Sequence, residues 1–115
     1  MIGVEYQLVQ MRQAMSRAGD RRTPIEVTEI GWGSDGPPQS PLVKGVEGQA
    51  RSLKNAFELL SKKRRRFRIG SVQWLSFQDS AASEPGCGFC QYTGLFTLER
   101  EPKPSWREFR RFANG

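Results

Sequence analysis

The sequence predicts an α/β fold with parallel strands, and three features carry that expectation. Two stripes of apolar residues recur at spacings of three and four, from Val4 to about Ala18 and from Val46 to Leu60. That is the period of helices lying on a surface. Two short runs rich in β-branched and aromatic residues, Pro24 to Ile30 and Phe67 to Phe77, read as strands. Strands and helices alternate, and each strand is followed by a long loop, an order that returns the chain across a sheet between parallel strands. A two-stranded sheet buries too little to stand by itself, so the chain is expected to be part of something larger.

Taken in order, Val4, Leu8, Met11, Met15 and Ala18 form the first helical stripe, and Gly19 is placed to end it. Asp20 to Thr23 is a polar turn. Ile25, Val27 and Glu29 then alternate with Glu26, Thr28 and Ile30, so Glu29 is expected to continue an apolar row at its open end. A carboxylate there is partly shielded from water and held by a rigid element, as a catalytic or ligating group requires. The segment between Gly31 and Gly45 holds three prolines among glycine and serine and is a loop long enough to be functional.

The second stripe, Val46, Ala50, Leu53, Phe57 and Leu60, ends in a basic tract, which suits a helix C-terminus. Phe67 to Phe77 follows as the second strand, with Ile69, Val72, Trp74, Leu75 and Phe77 in its apolar run. A second long loop runs from Gln78 to Thr93 and carries Asp79, Cys87 and Cys90. Pro104 opens a short final helix, since a proline in the first turn lacks only an N–H that would have had no partner. Trp106, Phe109 and Ala113 are expected to share its buried face.

Composition narrows the possibilities. With 115 residues, 37% hydrophobic and 26% charged, the chain suits one soluble domain at most. It has no stretch approaching the roughly 20 apolar residues of a membrane span. The N-terminus lacks the pattern of a signal peptide, so the export signal of a secreted parent would lie outside this chain. With no histidine, histidine-based triads and histidine-ligated metal sites are excluded for the chain acting alone, and no cofactor is expected.

The net charge of +6 is local. Lys62, Lys63, Arg64, Arg65, Arg66 and Arg68 supply six cations in seven positions, leaving twelve cations against twelve carboxylates elsewhere. Such a tract can bind nucleic acid, which would make the chain a small basic interaction module. The expectation favoured here is a solvated helix end, because the tract is not interleaved with the aromatics and glycines of an RNA-binding surface. Cys87 and Cys90 supply two of the four ligands of a structural zinc, and their loop setting does not suit redox catalysis. A local disulfide pinning the loop is expected, and would fit an exported enzyme; two free thiols are the alternative.

The segments PIEVTEIGWG, SVQWLSFQD and YTGLFTLEREPKPSW together carry a resemblance. The first resembles the seventh-strand motif of the retaining glycoside hydrolases of clan A, with its Thr-Glu-x-Gly ending. The second resembles the eighth strand with its tryptophan and following aspartate, and the third the approach to the last helix. The resemblance implies the C-terminal part of a (β/α)8 barrel, from helix six to helix eight, whose whole needs on the order of 250 residues. It also implies a retaining mechanism with two carboxylates about 5 Å apart. Glu29 matches the nucleophile, against the plainer reading of a structural carboxylate at a strand end. The acid/base on strand four is missing, so the chain is expected to be inactive alone and to need the N-terminal part of the barrel as its partner.

Trp74 matches a platform that stacks on the substrate sugar, against simple core packing. Trp32 either lines the cleft or caps its loop. Asp79 either bonds sugar hydroxyls or ties down its loop. The implied substrate is a carbohydrate, and a non-catalytic remnant of such an enzyme is the remaining alternative.

Overall fold

The computed structural model describes residues 2–82 and 84–114. Its elements are α1 (Ile2–Arg17), β1 (Ile25–Ile30), α2 (Gly45–Lys62), α3 (Arg64–Phe67), β2 (Ile69–Trp74), a 3-10 turn (Cys90–Tyr92) and α4 (Pro104–Ala113). Among the described residues this is a mixed α/β arrangement of four α-helices and two strands, and the strands pair in parallel. No helix of the described residues is long and apolar enough to cross a membrane.

Register decides which side chains face the helices. Ile25 pairs with Ile69, Glu26 with Ser71, Val27 with Val72 and Ile30 with Trp74. Ile25, Val27, Ile30 and Val72 pack with Leu8 of α1, Leu60 of α2 and Phe67 and Ile69, so this face of the sheet is the covered one. A second cluster joins Leu53 and Phe57 of α2 and Leu95 with Val72, Trp74, Phe96 and three residues of α4. The opposite face carries Glu26, Ser71 and Gln73, all exposed, and the Ser71 hydroxyl donates to the Glu26 carboxylate.

Five expectations need correction. Alternation through β1 fails after Val27, where the ladder is irregular: Val27 and Ile30, three residues apart, both pack on the covered face. Glu29 is consequently exposed instead of sitting in the apolar row. In α1, Met11 is 52% exposed, and Arg12 takes the inward role by donating from Nε to the Phe67 carbonyl at 2.9 Å and from Nη2 to the Thr23 carbonyl at 2.7 Å.

The basic tract does not simply prolong α2. The helix breaks at Lys63, α3 turns Phe67 into the core at 3% exposure, and Arg68 (φ +51°) caps α3 just before the strand, its carbonyl accepting from Ile25 N at 2.8 Å. The second strand is therefore Ile69–Trp74, shorter than Phe67 to Phe77. In α4, Phe112 and not Ala113 joins Trp106 and Phe109 against Phe57; the rings of Phe57 and Phe112 lie 5.4 Å apart.

Candidate active site

Parallel strands bring both following loops to one end of the sheet, and Glu29 stands there, one residue before the end of β1. Among the described residues no hydrogen bond or ion pair holds its carboxylate. Its backbone position is nevertheless well fixed. Leu75 N donates to the Ile30 carbonyl at 3.0 Å, so the ends of β1 and β2 are tied beside it. Gly31 follows where a side chain could not fit, because a Cβ there would strike the Leu75 carbonyl.

Behind this rim lies a buried polar network of which the sequence singled out only Asp79. Lys103 is 6% exposed and donates from Nζ to Asp79 Oδ1 at 2.7 Å, to Ser34 Oγ at 2.8 Å and to the Tyr92 carbonyl at 3.2 Å. Asp79 Oδ1 also accepts from Gly94 N at 2.9 Å. Burial pushes the Lys103 ammonium below the usual lysine range, against the pull of Asp79 and Asp35, which favour its charge.

Gln49, fully buried on α2, donates from Nε2 to the carbonyls of Trp32, Tyr92 and Gly94 at 3.0 to 3.3 Å, while its Oε1 accepts from Ser105 Oγ at 2.9 Å. One side chain thus joins both rim loops, and Ser105 adds α4. Two signals for these residues were present in the sequence. Gln49 interrupts an apolar helix face one position before Ala50, and Lys103 sits between two prolines that fix its backbone.

Trp32 is 9% exposed, and its ring lies 6.0 Å from that of Trp74. Trp74 stands on the covered face, 6.5 Å from the Phe57 ring, with its Nε1 donating to the Thr93 carbonyl at 2.9 Å. Asp79 is turned into the network. Cys87 and Cys90 form a disulfide with their Cα atoms 5.5 Å apart. Phe89, between them, lies against the loop after β1: a Cβ on Gly33 would come within 2.9 Å of the Phe89 Cβ.

Of the residues expected at a site, the structure brings together Trp32, Trp74 and Asp79 through packing and the network, and leaves Glu29 on the rim. A groove of about 600 Å³ borders the network, lined by Ser34, Asp35, Asp79, Gln91, Leu98 and Lys103 among others. No group of three or more Cys, Asp or Glu able to hold a metal ion occurs among the described residues.

This fold has a solved counterpart. The β-glucuronidase of Faecalibacterium prausnitzii superposes with a TM-score of 0.58 at 17% identity, over 96% of this chain. The chain spans 19% of that protein's length. At this identity the likeness is one of fold. No protein-family model matches the chain, and no curated protein sequence matches it.

Proposed function

We propose that this chain is the C-terminal part of a retaining glycoside hydrolase barrel, in which β1 and β2 are strands seven and eight and Glu29 is the nucleophile. The observation that carries the proposal is the placement of Glu29: an unengaged carboxylate at the C-terminal end of a parallel strand, where barrel enzymes keep their chemistry. The fold likeness to a β-glucuronidase supports the same reading.

In this proposal the bare sheet face is the barrel interior. Its residues, Glu26, Ser71 and Gln73, are polar, whereas the opposite face is apolar and packed by helices. The Glu29 oxygen attacks the anomeric carbon of a β-linked glycoside as the bond to the leaving oxygen breaks, giving a glycosyl-enzyme. A second carboxylic acid, contributed from strand four, protonates the leaving group and then takes a proton from the water that releases the sugar.

Glu26 does not suit that second role, since it lies on the same strand and is held by Ser71. Trp74 supports Trp32 from below the rim, and Lys103 and Gln49 hold the two loops that flank the nucleophile. Sugar specificity is set by the loops of all eight strands, so most of it comes from outside this chain.

The test is kinetic. In a protein that joins this chain to strands one to six, Glu29→Ala lowers kcat by several orders of magnitude while the melting temperature holds, because the side chain touches substrate, is exposed in this chain and makes no hydrogen bond or ion pair among the described residues. Turnover within a few fold of the parent rejects Glu29.

A further inference from the structure

At the other end of the sheet, where the strands begin, the basic tract is exposed, as a solvated helix end would be, and it also borders a groove. Because the helix breaks at Lys63, three guanidinium groups gather around one open groove of about 460 Å³, lined by Pro24, Arg64, Arg65, Arg68, Ile69 and Gly70. Two of the three are oriented through their Nε atoms. Arg64 Nε donates to the Ile69 carbonyl at 3.3 Å, and Arg68 Nε to the Arg22 carbonyl at 2.7 Å. Anchoring at Nε leaves the terminal Nη donors for a ligand, in the fork geometry that matches a phosphate.

The neighbouring charges are divided unevenly. Glu5 of α1 pairs with Lys63 and Arg66, and so offsets one of the two charges on the side of the tract that faces α1. No carboxylate pairs with Arg64, Arg65 or Arg68 among the described residues. Two carboxylates near the groove are hydrogen-bonded: Glu26, which lies against Gly70, accepts from Ser71, and Asp20, in the turn before Pro24, accepts from the backbone N–H groups of Arg22 and Thr23.

Of the apolar residues that line the groove, Ile69 is only 5% exposed and Pro24 is exposed but carries no aromatic ring, so the lining offers no ring on which a base could stack.

We infer that this groove binds the phosphodiester backbone of nucleic acid, without regard to sequence, through Arg64, Arg65 and Arg68. The site lies at the opposite end of the sheet from Glu29 and stands or falls independently of the glycosidase proposal.

Fluorescence anisotropy of the chain with a labelled single-stranded oligonucleotide of about ten nucleotides tests it. Neutralising three phosphates predicts that log K falls against log salt with a slope of about −2 between about 50 and 200 mM. Arg64→Gln/Arg65→Gln/Arg68→Gln is expected to bind at least about tenfold more weakly. Arg65→Glu serves as a second variant, since its side chain makes no hydrogen bond among the described residues and its loss leaves the fold undisturbed. It too should lower affinity. Binding by the parent that ignores salt, binding by Arg65→Glu equal to the parent, or a preference for anionic vesicles or a sulfated glycan over the oligonucleotide would overturn the inference.

Discussion

Lys103 Nζ lies 2.7 Å from Asp79 Oδ1, and the two side chains are only 4% and 10% exposed. This pair joins the segment before α4 to the loop after β2, and Ser34 brings in the loop after β1. Removing one partner strands the other charge in a place with little water. Lys103→Met is therefore expected to cost about 3–5 kcal/mol, whereas Lys103→Met with Asp79→Leu costs less than the two single changes added together. Urea unfolding midpoints measure both.

The same lysine gives a pH dependence. Its proton is held less tightly in the folded chain than at the unfolded value of 10.5. Between the depressed native value and 10.5 the unfolded chain binds more protons, so this group's contribution to stability rises with pH in that window. The stability of the parent relative to Lys103→Met is expected to increase toward pH 10.5. A difference that is flat with pH contradicts it.

Gln49→Leu keeps the side-chain volume and removes four hydrogen bonds, leaving the carbonyls of Trp32, Tyr92 and Gly94 without this donor. The expected loss is about 2–4 kcal/mol, with faster amide exchange in both rim loops. Ser105→Ala removes only the last link and should cost about 1 kcal/mol.

The contrast between two glycines tests how tightly the loops meet. A Cβ on Gly94 would overlap the backbone of Gln78 and Asp79, so Gly94→Ala is expected to destabilise by about 1–3 kcal/mol. Gly3 in α1 has open space around it, and Gly3→Ala is expected to stabilise by up to about 1 kcal/mol through helix propensity. Thermal melts of the two variants should move in opposite directions.

The disulfide closes a loop of few residues, so its effect on the unfolded chain is small. Cys87→Ser/Cys90→Ser is expected to cost about 2 kcal/mol, and to raise exchange in the loops around Phe89 and Gly33 more than in β1 or β2. Uniform loss of protection through the sheet would contradict that localisation.

The parallel βαβ order was legible because it follows from local period alone. Of the stripe Val46, Ala50, Leu53, Phe57 and Leu60, the last four are buried on one face of α2, whereas Val46, in its first turn, is exposed. The orientation of Glu29 was not legible, since the irregular ladder beyond Val27 depends on how β1 meets β2. The break at Lys63 was equally hidden, because it depends on Glu5 of α1 and on Phe67 reaching the core. The polar network escaped for a related reason. Lys103 and Ser34 stand 69 residues apart, and Gln49 and Ser105 stand 56 apart. Nothing in the local pattern marks a polar residue as buried until its distant partners are in place.

The role of Glu29 is tested most directly by trapping the intermediate. A protein that completes the barrel around this chain would be incubated with an activated 2-deoxy-2-fluoro β-glycoside, digested, and its peptides weighed. Attack by Glu29 predicts a fluoro-sugar ester on the peptide that contains Glu29, and its disappearance in Glu29→Gln. An ester on any other carboxylate, or a Glu29→Gln protein that still turns over substrate at a rate near the parent's, would contradict it.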